Sequence, residues 1–274
     1  MPMDVVEYEI NGAEMQFVEV ELDPGEAAIG EAGSMMFMDA GIRMETVFGD
    51  ASGQGGGFFG SLLGAGKRLI GGATIFTTVF TNQGSGKRRV AFAAPYPGKI
   101  LAMDLRQLGG TLICQKDAFL CAARGVTLGI WFQQRLSAGF FGGDGFIMQR
   151  LDGDGRAFVH AGGTIVRREL QAAETVYVDT GCVVALTPNV AFEVEYVGGV
   201  KTALFGGEGL FFAKVTGPGT VWLQSLPFSR LASRIFAALP QRGGAKDEGS
   251  VLGAAAIGSV LGGLLGGSSS SDDD

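Results

Sequence analysis

Ser34–Met44 reads SMMFMDAGIRM, Ala118–Leu128 reads AFLCAARGVTL and Cys182–Phe192 reads CVVALTPNVAF. Each is a small residue, an apolar run, a short turn, a Gly or Asn, and then an apolar-x-apolar step. The turn residues Gly41, Gly125 and Asn189 lie 84 and 64 residues apart. A second block follows each first one: GGATIFTTVF from Gly71, GGDGFIMQRL from Gly142 and GGEGLFFAKV from Gly206. Its second and third copies are again 64 residues apart, so units two and three align without a gap from about residue 118 to 161. Glu21-Leu22 corresponds to Glu169-Leu170, and Gly33 to Gly181. Two blocks that keep one offset, with apolar positions matching as well as glycines, mark an internal threefold repeat.

The spacing also locates an insertion. From turn residue to Gly pair is 17 residues in units two and three but 30 in unit one. The surplus falls in GDASGQGGGFFGSLLGAGKR, Gly49–Arg68.

Period and punctuation assign the local structure. VVEYEI (Val5–Ile10), MQFVEVEL (Met15–Leu22), TVYV (Thr175–Val178), FEVEYV (Phe192–Val197) and TVWL (Thr220–Leu223) are short, rich in β-branched and aromatic residues, and bounded by Gly, Asp or Pro. The x-G-x-G elements Asp152–Gly155 and Thr216–Gly219 read as hairpin turns. SRLASRIFAAL (Ser229–Leu239) reads as an amphipathic helix, capped by Ser229 and stopped by Pro240. The expected fold is all-β: three similar antiparallel β units in a pseudo-threefold arrangement, with one C-terminal amphipathic helix. The units are 1–98 (carrying the insertion 49–68), 99–163 and 164–227, followed by the helix at 228–240 and a Gly/Ser-rich tail at 241–274.

Composition agrees and excludes other classes. Of 274 residues 47 are Gly and 18% are charged. Gly costs about 1 kcal/mol against Ala in a helix interior, which disfavours a helical protein. A net charge of −7 and a mean hydropathy of +0.27 exclude a disordered polyelectrolyte and, with pI near 4.9, a DNA partner. Cys114, Cys121 and Cys182 lack CxxC spacing and read as small buried apolar residues. MPMDVVEYEI at the start has no apolar signal core, so the expected location is cytoplasmic, with peripheral membrane association.

GGEGLFFAKVTGPGTVWLQSLP (Gly206–Pro227), GGDGFIMQRLDGDG (Gly142–Gly155) and FFGSLLGAGKRLIGG (Phe58–Gly72) resemble the Altered Inheritance of Mitochondria protein twenty-four family over roughly residues 3 to 230. The resemblance implies a fold like the tryptophan RNA-binding attenuation protein, a β-sandwich or double-stranded β-helix with three repeats about a pseudo-threefold axis. The family's eukaryotic members are tied to mitochondrial inner-membrane organisation; this chain has no Arg-rich presequence, so that location is not carried over. No catalytic residue, cofactor or metal is implied.

The chemistry-bearing residues are few. His160 is the one histidine, so any Ser/His/Asp or Cys/His catalysis would have to pass through it, and in the repeat it aligns with Gln224. Asp152-Gly-Asp154-Gly has the look of a calcium loop, but its counterpart Thr216-Gly-Pro218-Gly carries no carboxylate, so a turn is the better reading. Asp144 and Glu208 align across units two and three. With His160 they are the candidates for a polar site between units. In the insertion, Phe58, Phe59, Leu62, Leu63, Leu69 and Ile70 surround Lys67-Arg68, and the tail runs VLGAAAIGSVLGGLLGG (Val251–Gly267). These apolar Gly-rich segments are candidates for oligomer or membrane contact.

The expected function is that of a non-enzymatic scaffold or binding protein without cofactor or metal. It would be a homo-oligomer assembling through its β units and contacting a membrane surface or protein partner. The competing expectation is a small-molecule-binding protein or enzyme with a pocket between units. RNA binding through Lys87-Arg88-Arg89 by fold likeness runs against the acidic pI.

Overall fold

The computed structural model describes residues 6–31, 33–48, 76–134, 146–196 and 211–238. The insertion Gly49–Arg68 with its apolar candidates, the residues Leu69, Ile70, Asp144 and Glu208, and the tail from 239 onward lie outside the described residues.

A leading strand, β1 (Glu7–Asn11), precedes three sets of six. The first set is β2 (Phe17–Leu22), β3 (Ala27–Glu31), β4 (Met35–Met38), β5 (Ile42–Phe48), β6 (Phe76–Asn82) and β7 (Arg88–Ala93). The second is β8 (Gly98–Asp104), β9 (Thr111–Gln115), β10 (Phe119–Ala123), β11 (Thr127–Gln134), β12 (Phe146–Asp152) and β13 (Arg156–Gly162). The third is β14 (Ile165–Leu170), β15 (Thr175–Asp179), β16 (Val183–Leu186), β17 (Ala191–Tyr196), β18 (Phe211–Thr216) and β19 (Gly219–Gln224), and the helix α1 (Phe228–Ala238) follows.

The same antiparallel pairings recur in each set. β2 pairs β7, which pairs β4, while β5 pairs β6, which pairs β3. β8–β13–β10 and β11–β12–β9 repeat the pattern, as do β14–β19–β16 and β17–β18–β15. Even a β-bulge repeats, between Met35 and Phe37, Phe119 and Cys121, and Val183 and Ala185. A bulge places an extra residue on one strand and bends it.

Adjacent sets are joined by shared ladders, β3 with β10 and β9 with β16. Four sheets result: β1-β2-β7-β4, β5-β6-β3-β10-β13-β8, β11-β12-β9-β16-β19-β14 and β15-β18-β17. They stack in that order. Val20, Val90 and Phe92 of the first sheet share a core with Phe80, Cys121 and Phe158 of the second. Ile29, Ala122 and Val159 of the second pack with Leu112, Cys114 and Trp222 of the third. Ile113, Met148 and Val221 of the third pack with Val178, Ala213 and Val215 of the fourth. The inner sheets are covered on both faces, so β9, β10 and β16 are buried along their whole length. The outer sheets are covered on one face, so FVEVEL of β2 alternates buried with half-buried.

Two sequence expectations are corrected. The x-G-x-G elements are not hairpin turns. β12 and β13 flank the first but lie in the second and third stacked sheets' separate ladders, and β18 and β19 flank the second in the same way. The chain arches from one sheet to the next, at φ +149° for Gly153 and +144° for Gly219, a region open to Gly. Each arch is held from below rather than across itself: Gly153 N–H donates to Gly110 and Gly217 N–H to Glu174. Nor does Ser229 cap the helix. α1 starts at Phe228, and the Pro227 carbonyl accepts from the amides of Arg230 and Leu231. Ser229 therefore sits inside the first turn.

Candidate functional site

His160 lies on β13, a strand of the second sheet with both faces covered, and is 1% exposed. Neither ring nitrogen has a hydrogen-bond partner. A buried imidazole without partners is uncommon, because an unsatisfied polar group forfeits its hydration. Its counterpart one repeat later, Gln224, is fully engaged: Oε1 accepts from Gly162 N–H at 2.7 Å and Nε2 donates to the Gly181 carbonyl at 2.8 Å. The residues equivalent to Gly162 and Gly181 are Gly98 and Asp117. A Cβ at Gly98 would lie 2.7 Å from His160 Nε2 and against the Ala161 carbonyl, so the ring fills the space that a side chain would need.

The ring forms part of the wall of a cleft of about 450 Å³ between units one and two and the start of α1. Glu31, Tyr96, Asp117, Phe119 and Phe228 share that wall. Glu31 ends β3, and Asp117 lies in the single turn Lys116–Ala118 between β9 and β10. The Tyr96 ring stands edge-on to His160 at 4.4 Å between centroids, and Phe228 lies tilted against Tyr96 at 5.4 Å. Ser34 Oγ donates to the Glu31 carbonyl at 2.8 Å and fixes the chain where it leaves β3.

Burial sets the charge of the cleft. It holds His160 down to about 4; the nearby Tyr96 carbonyl favours the protonated ring, but at a geometry too loose to be a hydrogen bond. Burial, and then the charge of Asp117, push Glu31 up to about 7, with Lys116 pulling the other way. The same two causes push Tyr96 up to about 12. Near neutral pH the cleft therefore offers a neutral imidazole, a neutral phenol and a carboxyl poised between its two forms, beside aromatic rings. Burial, and then the charge of Glu31, push Cys114 up to about 12, and burial pushes Cys121 well above its ordinary value, so neither is a ready nucleophile. Among the described residues no three His, Cys, Asp or Glu side chains are grouped to hold a metal ion.

A second surface belongs to α1. Phe228, Leu231, Ala232, Ile235 and Phe236 fall on one face at helical spacing, and Arg230 and Arg234 on the other. Arg230 ties the helix to β15 through Asp179 at 3.4 Å. Ile235 and Phe236 remain 57% and 77% exposed.

The basic run Lys87-Arg88-Arg89 is engaged within the fold. Lys87 pairs with Glu7 at 2.6 Å and Glu21 at 2.7 Å, Arg89 with Glu19 at 2.8 Å, and Arg88 donates to the Ala40 carbonyl at 3.0 Å. The carboxylates of the Asp152 loop are also paired, Asp152 with Arg150 at 2.8 Å and Asp154 with Arg106 at 3.6 Å.

The family model described as mitochondrial biogenesis AIM24 matches residues 8–226, which include every described strand but for Glu7 of β1, and the whole wall of the cleft except Phe228. The chain belongs to the AIM24 family. It is similar to an uncharacterised protein of Streptococcus pyogenes serotype M6, 28% identical over 231 residues that cover 82% of this chain and 88% of that one. Its fold is similar to that of a Streptococcus pyogenes protein solved by X-ray crystallography, with TM-score 0.66, 22% identity, and coverage of 85% of this chain and all of the other.

Of the residues predicted from sequence for a polar site in this AIM24 family member, His160 reaches a cleft between units. Its companions there are Glu31, Tyr96 and Asp117, which sequence reasoning did not select. The repeat alignment holds a signal for one of them: Glu31, Gln115 and Asp179 are equivalent, and each is a polar residue that closes its strand. No helix among the described residues is long and apolar enough to cross a membrane.

Proposed function

We propose that this AIM24 family member is a non-enzymatic scaffold that self-assembles through its β units and binds a membrane surface, with α1 as one of its contacts. The observation that carries the reading is the apolar face of α1, whose Phe228, Ile235 and Phe236 are exposed among the described residues while the opposite face carries arginine and no acid. An amphipathic helix of this kind lies in the plane of a lipid surface, apolar face inward and arginine toward anionic headgroups. The sequence adds support. The connections between β5 and β6, β11 and β12, and β17 and β18 carry Leu69-Ile70, Phe140-Phe141 and Leu204-Phe205 directly before a Gly pair, so equivalent positions in all three units repeat an apolar pair beside glycines, and the insertion of unit one adds Phe58-Phe59.

The test is flotation of the full chain with phosphatidylcholine vesicles, with and without phosphatidylglycerol. Wild type is expected to float with the anionic vesicles. Ile235→Ser/Phe236→Ser removes two side chains worth about 1.5–3 kcal/mol each when buried, so its partitioning should fall by at least about a hundredfold. Unchanged flotation would remove α1 from the reading, and no flotation of wild type would remove the membrane from it.

The unpartnered ring of His160 favours a second reading, in which the cleft receives a small molecule with an apolar body and a hydrogen-bond donor or ammonium group. Because His160 is the chain's one histidine, its ring protons are assigned in an NMR spectrum without mutagenesis. Titration with 2-phenylethylamine should move them and phenylacetate should not; equal response to both, or to neither, would end this reading.

A further inference from the structure

The three units should share three equivalent seams, and among the described residues only two are formed as ladders. β3 of unit one pairs β10 of unit two, with Gly30 opposite Cys121 and Ile29 opposite Ala122. β9 of unit two pairs β16 of unit three, with Cys114 opposite Ala185 and Ile113 opposite Leu186. The remaining strands of these two kinds are β15 of unit three and β4 of unit one. Neither pairs the other: among the described residues β4 is the edge of the first sheet and β15 the edge of the fourth.

These edges differ from their counterparts in burial and in residue size. β10 and β16, equivalent to β4, are buried throughout, and their central residues are Cys121 and Ala185. In β4 the run is Met35-Met36-Phe37-Met38, with Met36 55% exposed and Phe37 and Met38 close to 40%. β9, equivalent to β15, is also buried throughout, whereas Tyr177 of β15 is 59% exposed. Natural edge strands are usually protected by charge, proline or a covering segment, because bare N–H and C=O groups recruit another strand. β4 is four apolar residues with neither charge nor proline.

We infer that β15 of one chain pairs antiparallel with β4 of a second copy, forming between molecules the seam that β3–β10 and β9–β16 form within one. The repeat offsets set the register: Phe37 faces Val178, Met38 faces Tyr177 and Asp39 faces Val176. The joined sheet then runs β17-β18-β15-β4-β7-β2-β1, which without the leading strand β1 is the order of strand types in the second and third sheets. The contact is heterologous, head to tail, so copies close into a ring or continue as a filament according to the turn per copy. It buries the exposed methionines, Phe37 and Tyr177 together. This rests on the self-assembly half of the proposed function and names the surface that performs it.

Both partner positions are exposed, so they tolerate substitution without loss of the fold. Met38→Lys/Tyr177→Lys places like charges directly opposite each other, and Met38→Lys/Tyr177→Glu places opposite ones. Light scattering after gel filtration should give a multiple of the chain mass for wild type and for the Lys/Glu variant, and at least tenfold weaker association for the Lys/Lys variant. In a Cys182→Ser background, Met38→Cys and Tyr177→Cys chains mixed under mild oxidation should crosslink to each other far more than either does alone. A strictly monomeric wild type would overturn both the inference and the self-assembly reading. An oligomer indifferent to the charge pairs, or one without the mixed crosslink, would overturn the inference alone. A monomeric double-cysteine chain that crosslinks within itself would overturn it in favour of closure inside one molecule.

Discussion

Phe37 and Cys121 hold the same place in consecutive units, each closing the same bulge, yet Phe37 is 39% exposed and Cys121 is fully buried. The difference is one of neighbours. Cys121 faces Gly30 across a ladder to unit one, and among the described residues Phe37 faces no ladder on that side.

Substitution by one residue type should separate the two positions. Phe37→Ser, at a half-open edge, is expected to change the stability of dilute protein by less than about 1 kcal/mol. Cys121→Ser places a hydroxyl among Phe80, Phe92 and Phe158 without a partner and should cost roughly 1–3 kcal/mol. Urea unfolding at low protein concentration measures both. Equal losses would mean that the edge is already covered within the monomer.

Gln224 and His160 make a second such pair. Gln224→Leu leaves the Gly162 amide and the Gly181 carbonyl without their partner at a buried site and should cost on the order of 2–4 kcal/mol. His160→Leu removes two nitrogens that bond nothing and should be near neutral, within about 1 kcal/mol. A large loss at His160 would indicate that its ring is hydrogen-bonded in solution, by water or by a bound molecule.

The thiols should report burial directly. Cys114 and Cys121 are buried and Cys182 is half-buried. Native protein is expected to react with a disulfide reagent at one thiol in the time that denatured protein reacts at three. Rapid reaction of a second native thiol would show that an inner sheet opens.

The parts of this fold that could be read from sequence are those in which local pattern and tertiary environment agree. FVEVEL alternates because one face of the first sheet meets the core, so β2 is visible in the letters. The three turn blocks are visible because each unit needs the same bulge and bend. The arches are not legible, because Gly punctuation marks a reversal without saying which sheet receives the next strand. Glycine at 153 or 219 serves a hairpin and an arch equally. The cleft was half legible. His160 stands out as a lone histidine, but Glu31, Tyr96 and Asp117 come from a strand end, a loop and a single helical turn that only the β3–β10 ladder brings together. Exposure of β4 was not legible either, since MMFM reads as core until its missing partner is known.

Gly98 tests how closely His160 is held. A Cβ there would meet the Ala161 carbonyl as well as the ring, and backbone does not give way as a side-chain tip does. Gly98→Ala should therefore lower the melting temperature by several degrees, about 2 kcal/mol or more, and His160→Ala should not restore it. Full rescue by His160→Ala would mean that the ring, not the Ala161 carbonyl, is the obstacle.

The pH dependence of stability follows from two opposed shifts in the same cleft. Glu31 is raised from its ordinary 4.5 to about 7, so the fold prefers its neutral form. Its contribution is fully present below pH 4.5 and is lost as pH rises through 7, a change on the order of 3 kcal/mol. His160 is lowered from 6.5 to about 4, so the fold again prefers the neutral form, but here that form prevails at high pH. Its contribution is present above pH 6.5 and is lost as pH falls through 4, again on the order of 3 kcal/mol. The windows nearly coincide and the slopes oppose, so the pair leaves wild type almost flat between them. Single variants should expose each slope. Relative to wild type, Glu31→Gln should gain stability as pH rises from 4.5 to 7, because the cost of ionising Glu31 is gone. His160→Leu should gain relative to wild type as pH falls from 6.5 to 4, because no imidazole has to be kept uncharged. Urea midpoints collected across that range decide it. Parallel profiles for Glu31→Gln and wild type would mean that Glu31 is hydrated and titrates as an ordinary carboxyl. A flat difference for His160→Leu would mean that its ring titrates in the fold as it does in the unfolded chain.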